Sequence, residues 1–141
     1  EKLRQSSLPF NKYIKNTSNC YELNLKLEAD MIHELVLFAD NDGNGLSLIF
    51  DLVDGQVQVD RSKVGEVFAT EFSSVRTALI APMDTKARIF VDNSVFEIFI
   101  NDGEMVFSGR VFPREDQTHI KILHGNPTGV YYPLLTFTNP N

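Results

Sequence analysis

Apolar and polar residues alternate with a period of two over much of this chain. Tyr21, Leu23, Leu25 and Leu27 are interleaved with Glu22, Asn24, Lys26 and Glu28. A strand puts each set on its own face, whereas a helix would scatter both around its axis. Leu46, Leu48, Phe50 and Leu52 repeat the pattern, and Val57 and Val59 alternate with Gln56, Gln58 and Asp60. Further strand-like runs are Leu35–Phe38, Val67–Phe72, Arg88–Val91, Val95–Ile100, Met105–Val111, His119–Leu123 and Val130–Phe137. Turn signals separate them: Asp42-Gly43-Asn44-Gly45, Asp54-Gly55, Asn93-Ser94, Asp102-Gly103 and Gly125-Asn126-Pro127. No segment holds the i, i+3, i+4, i+7 spacing over three helical turns. Short strands at this spacing predict an all-β fold, a two-sheet antiparallel β-sandwich or a barrel.

The segment 88–112 can be read at residue level. Asp102-Gly103 is a type I′ hairpin signal, because glycine accepts the positive φ that bulkier residues resist. A two-residue loop there pairs Ile100 with Met105, Ile98 with Phe107, Glu97 with Ser108 and Val95 with Arg110. Asn93-Ser94 as the preceding loop pairs Val91 with Phe96 and Phe90 with Glu97. One face of the resulting meander holds Ile89, Val91, Phe96, Ile98, Ile100, Met105, Phe107 and Val111, and is predicted to be core. The other carries Arg88, Phe90, Val95, Glu97, Phe99, Val106, Ser108 and Arg110. Glu97 lies diagonal to both Arg88 and Arg110, within reach of long side chains. An Arg–Glu–Arg ladder among aromatic residues suits a covered face that docks on another protein surface. The alternative is a half-exposed ion pair worth about 0–1 kcal/mol.

Composition narrows the function classes. The chain has 141 residues, 13 Lys plus Arg against 19 Asp plus Glu, and a formal charge of −6. One domain is the default at this length. An apolar fraction of 43% and a charged fraction of 23% are globular proportions. An acidic balance offers no clustered positive face for nucleic acid, and no apolar run is long enough to span a membrane as a helix. Cys20 stands alone, so an internal disulfide is excluded; a buried, inert thiol is expected. Residues 1–19 read as a linker remnant and edge segment, and 20–141 as the sandwich. The opening Glu1-Lys2-Leu3-Arg4, without an initiator Met or signal peptide, reads as a cut end, processed or cloned. Asn16-Thr17-Ser18 is a sequon, a common triplet without other secretory signs.

The stretch Ala87-Arg88-Ile89-Phe90-Val91-Asp92, continued by Ser94-Val95-Phe96-Glu97-Ile98-Phe99-Ile100-Asn101-Asp102-Gly103-Glu104, resembles the signature of the C-terminal β-sandwich of glycoside hydrolase family 32. Val106-Phe107, Arg110-Val111-Phe112-Pro113 and, upstream, Asp60-Arg61-Ser62, Gly65, Phe72 and Arg76 fit the same module. Glu1–Arg4 is similar to the end of the linker that leaves the catalytic domain. Phe96 departs from the pattern, which usually carries a smaller residue. Within the family, sucrose-6-phosphate hydrolases and invertases are nearest, with fructan hydrolases next.

The resemblance implies a concanavalin- or lectin-like sandwich packed on an N-terminal five-bladed propeller of the same polypeptide. That propeller hydrolyses β-fructofuranosidic bonds with retention, using two carboxyl groups about 5–5.5 Å apart. The resemblance further implies a non-catalytic accessory role for this segment, a cytoplasmic or else extracellular parent, and the option of a homodimer. Arg88, Phe90, Glu97, Phe99 and Arg110 are then the interdomain or structural residues, and no catalytic residue, metal, cofactor, nucleic acid or membrane is expected. A carbohydrate-binding module is the alternative, weakened by the absence of Trp; a free-standing lectin-like domain is another.

Two family motifs, Arg-Asp-Pro and Glu-Cys, are absent from the chain, but Asn41-Asp42-Gly43-Asn44-Gly45 nearly matches the Asn-Asp-Pro-Asn-Gly motif of the nucleophile. Lying between two apolar runs, it reads as a turn. It also nearly fits a calcium loop, with Asp40, Asp42, Asn44 and Asp51, but strands flank it and Asp51 stands where a bidentate Glu is needed. A plain hairpin is expected, with adventitious calcium as the alternative. His33, His119 and His124 are too scattered for a zinc site. Asp102 and Glu104 read as solvated turn charges. Tyr131-Tyr132, followed by Pro133, reads as an edge strand packed near a terminus rather than a sugar platform.

Overall fold

The computed structural model of the protein describes residues 8–9, 13–14, 19–65 and 75–134. Their elements are strands: β1 (Leu8–Pro9), β2 (Tyr13–Ile14), β3 (Cys20–Leu27), β4 (Ile32–Ala39), β5 (Leu46–Asp51), β6 (Gln56–Asp60), β7 (Val75–Leu79), β8 (Thr85–Asp92), β9 (Val95–Ile100), β10 (Met105–Arg110), β11 (His119–His124) and β12 (Thr128–Pro133). They form two six-stranded antiparallel sheets. Sheet I runs β1-β12-β3-β8-β9-β10 and sheet II runs β2-β11-β4-β5-β6-β7. The expected strand Val67–Phe72 and residues 135–137 lie outside the described residues.

Alternation explains the core. In β3, Tyr21, Leu23, Leu25 and Leu27 face inward; in β5, Leu46, Leu48 and Phe50; in β9, Phe96, Ile98 and Ile100, all at most 2% exposed. Each such side chain withdrawn from water contributes about 1.5–3 kcal/mol. The run Leu35-Val36-Leu37-Phe38-Ala39 breaks the period yet is buried throughout. A β-bulge is the reason: His119 pairs with Ala39 but Lys121 with Val36, so β4 carries one extra residue there. Phe38 takes the strained conformation (φ 51°), and both it and Leu37 reach the interior.

The 88–112 meander has the expected register: Ile100 opposite Met105, Ile98 opposite Phe107, Phe90 opposite Glu97 and Val91 opposite Phe96. Asn101, Asp102 and Gly103 all carry positive φ. Other expectations are corrected. Val75–Leu79, which lacks a clean alternation, is a strand paired to β6. Cys20 is half-buried at the start of β3 rather than enclosed, because a strand end is less covered than its middle. β12 is not the edge strand: β1 pairs with it at Tyr131 and Val130. Tyr131 is buried, its ring 5.6 Å from that of Tyr21, so no tandem aromatic platform is displayed.

Candidate functional site

The outward face of sheet I gathers the residues singled out in the sequence. Register places Tyr132, Glu22, Phe90, Glu97 and Ser108 in one row across the strands. Asn24, Arg88, Phe99 and Val106 form the next. Phe90 and Phe99 meet edge to face, centroids 6.0 Å apart, and the Arg88 guanidinium lies 5.1 Å from the Phe90 ring centroid. Such a cation over an aromatic face adds about 0.5–1 kcal/mol at an exposed site. Arg88 Nε also meets Glu22 Oε2 at 3.4 Å, and Asn24 Nδ2 donates to the same oxygen at 3.2 Å. Although it points away from the core, Glu22 is only 1% exposed.

This geometry corrects the Arg–Glu–Arg ladder. Arg88 turns toward β3 and pairs with Glu22, a partner the local 88–112 reading could not supply because β3 is distant in sequence. Glu97 remains exposed and makes no ion pair among the described residues, and Arg110 is likewise exposed. Val95 and Val106 are 37% and 50% exposed on the same face. Aromatic and branched apolar groups are thus held open around a paired charge.

A groove of about 630 Å³ opens at the end of this face, between β12, β3, β8 and the β9–β10 turn. Lys26, Lys86, Arg88, Phe99, Asp102 and Thr128 contribute to its walls. Sequence reading missed Lys26 and Lys86, which alone look like ordinary solvated strand residues.

The near-match loop is a structural turn. Asp42 is exposed, and the turn is organised by the residue before the motif. Asp40 Oδ1 accepts the N–H groups of Asp42 and Asn44 at 2.9 Å each, and its Oδ2 accepts from Arg114 Nη2 at 2.9 Å. Burial alone would raise the Asp40 pKa, but the N–H donors of Asn44 and Asp42, the Asn44 amide and the Arg114 charge together lower it below the usual carboxylate value. The same knot contains Gln117, fully buried. Its Oε1 accepts from Gly65 N at 2.7 Å and Arg114 N at 2.9 Å, while its Nε2 donates to the carbonyls of Lys63 at 3.0 Å and Asn44 at 3.2 Å. Every hydrogen-bonding position of that amide is thereby used. Nothing in Asp116-Gln117-Thr118 signals burial, so the sequence reading missed it.

Arg61 and Arg76 close the other side of the sandwich. Arg61 Nη1 donates to the Arg110 carbonyl and Arg76 Nη1 to the Ser108 carbonyl, each at 3.3 Å. Both carbonyls belong to the sheet edge β10, so the two cations satisfy groups that an unpaired edge leaves open. His33 is buried: Asn126 N donates to its Nδ1 at 3.1 Å, which places the ring proton on Nε2, bonded to the Glu28 carbonyl at 2.9 Å. His124 is exposed beside Glu34 at 2.8 Å. Among the described residues no group of three or more His, Cys, Asp or Glu is placed to hold a metal ion.

Comparison with known proteins identifies the family. The sequence profile described as "Glycosyl hydrolases family 32 C terminal" matches residues 1–134. The chain belongs to this family. Its sandwich is 52% identical over 122 residues to the sucrose-6-phosphate hydrolase of Streptococcus mutans serotype c, covering 86% of the chain and 26% of that enzyme. The extracellular exo-inulinase of Aspergillus ficuum is 33% identical over 78 residues, covering 52% of the chain and 14% of that enzyme. The structure of sucrose-6-phosphate hydrolase from Lactobacillus gasseri superposes with a TM-score of 0.87 at 28% identity, over 94% of the chain and 29% of that protein. Exo-inulinase from Aspergillus awamori shares the fold, with a TM-score of 0.78 at 22% identity over 94% of the chain and 29% of that protein. The chain thus spans about a quarter of the curated sucrose-6-phosphate hydrolases it matches, 26% and 22% of two of them. The segment it spans is the one that the family profile describes as C-terminal.

Proposed function

We propose that this family 32 sandwich is a non-catalytic accessory domain whose sheet I face docks on the catalytic propeller preceding it in the same polypeptide. The observation that carries this reading is the Arg88–Phe90–Phe99 cluster, set over a buried Glu22 and bordered by exposed Val95 and Val106. Open aromatic and branched apolar groups around a fixed charge pair form a mixed surface fitted to another protein surface. The propeller hydrolyses the β-fructofuranosidic bond of sucrose or sucrose 6-phosphate with retention, in the cytoplasm, and the substrate is set by propeller residues. Likeness to the Streptococcus mutans enzyme supports this choice over fructan hydrolysis. In the docked state Glu97 and Arg110 supply rim contacts.

The test is the full-length enzyme carrying Phe90→Ser together with Phe99→Ser. A lower melting temperature of the whole enzyme, with turnover per folded molecule little changed, is the expected result; unchanged melting with a large fall in turnover overturns the docking role. The isolated chain should hydrolyse no sucrose, and turnover abolished by Asp42→Asn would refute the accessory role.

A further inference from the structure

Lys26 and Lys86 stand directly opposite each other on β3 and β8, two central strands of sheet I. Like charges in that relation, with Cβ atoms about 5 Å apart, repel and destabilise the pair. Neither ammonium makes an ion pair with an acidic side chain among the described residues, whereas the neighbouring Arg88 is answered by Glu22. In a chain of net charge −6 this is a local concentration of positive charge, and it lies in the wall of a groove of about 630 Å³ that also carries Asp102. Ligand sites commonly enclose about 300–1,000 Å³.

The rest of the groove fits a sugar. Phe99, half-buried and held edge-on by Phe90, offers an aromatic wall. Thr128, opposite Lys26 on β12, offers a hydroxyl that can donate or accept. Asp102, on the β9–β10 turn, gives the rim an acceptor for hydroxyl groups. A carboxylate at the rim would repel a polyanion threaded through the groove, but tolerates one compact phosphate seated between the lysines. Two ammonium groups also match the charge of one phosphate monoester, about −1.5 to −2 at neutral pH.

We propose that the groove between β12, β3, β8 and the β9–β10 turn binds a phosphorylated sugar, with Lys26 and Lys86 on the phosphate, Phe99 against the ring, and Thr128 and Asp102 on the hydroxyls. Phe99 and Arg88 border both this groove and the face proposed to dock; the titration uses this chain alone and the docking test uses the full-length enzyme, so the two readings fail separately.

The experiment is a titration of the 141-residue chain, followed by amide chemical shifts, with fructose 6-phosphate, inorganic phosphate and sucrose as separate probes. Fructose 6-phosphate is expected to shift amides around Lys26, Lys86, Asp102 and Thr128, and to bind about tenfold more tightly than phosphate alone, since the ring adds its own contacts. Lys26→Ala and Lys86→Ala should each weaken binding by about tenfold while the spectrum stays dispersed, and Lys86→Arg should restore it in part. Equal binding of inorganic phosphate, equal binding of sucrose, shifts confined to another region, or no shift with any probe would each overturn the proposal. Retained affinity in the Lys26→Ala, Lys86→Ala double variant would do the same.

Discussion

Asp40 shows how one buried carboxylate can organise a loop that looks catalytic in one dimension. Both its oxygens are engaged by donors, and its pKa is lowered in the fold. A group with a depressed folded pKa adds stability above its unfolded pKa, about 3.9 for Asp, and that stability is lost as pH falls through the folded value. Acidification below about pH 4 should therefore erode the melting temperature of the wild type more steeply than that of Asp40→Asn. At neutral pH the variant should be less stable by about 1–3 kcal/mol, because the charge-assisted bond from Arg114 is lost. Parallel acid limbs in thermal melts of the two proteins would contradict this. Tyr21 behaves oppositely. Its hydroxyl is buried with no hydrogen-bond partner among the described residues, and burial, aided by nearby Tyr131, holds its pKa well above the usual value. An unsatisfied buried hydroxyl costs about 1–3 kcal/mol. Tyr21→Phe is accordingly expected to leave the melting temperature unchanged or raise it; a loss of more than about 1 kcal/mol would show that the hydroxyl is serving a partner.

At the scale of elements, turns and bulges set what each strand presents. Gly65 sits where the 61–65 turn meets the segment after β10. Its φ is +63°, and a Cβ there would lie 1.9 Å from the Phe112 carbonyl oxygen, while its N–H is held by Gln117. A left-handed conformation alone costs a non-glycine residue about 1–2 kcal/mol. Gly65→Ala should thus destabilise the domain by more than about 2 kcal/mol in denaturant unfolding, since the contact is with backbone and has no soft way out. A near-neutral effect would mean that the 61–65 turn shifts freely. The meander shows the reverse case, in which short loops fix pairing without distant help. Asn93-Ser94 and Asp102-Gly103 dictate which residues oppose each other, so the register of β8, β9 and β10 was legible from the residues alone. The bulge in β4 was not: its extra residue is defined by β11, whose partners His119 and Lys121 lie far from Ala39 and Val36 in the chain.

For the molecule as a whole, the open face of sheet I has a consequence in solution. With Phe90 and Phe99 only half-buried and Val95 and Val106 exposed, the isolated chain should self-associate as its concentration rises, because contiguous apolar surface seeks cover. Sedimentation velocity should show the weight-average mass growing with concentration, and Val106→Lys should reduce that growth; a strict monomer at high concentration would argue against an interdomain face there. The sequence by itself determined the all-β class, the inward set of most strands, the meander register and the reading of Asp42 as a turn residue. These are local properties: side-chain period two and the backbone preferences of Gly, Asn and Asp act within a few residues. Only the tertiary structure could pair Arg88 with Glu22, enclose Gln117 among four backbone partners, place Arg61 and Arg76 on the β10 edge, and set Lys26 against Lys86. Each of those relations joins segments that are remote along the chain, and no periodicity encodes which distant strand becomes a neighbour.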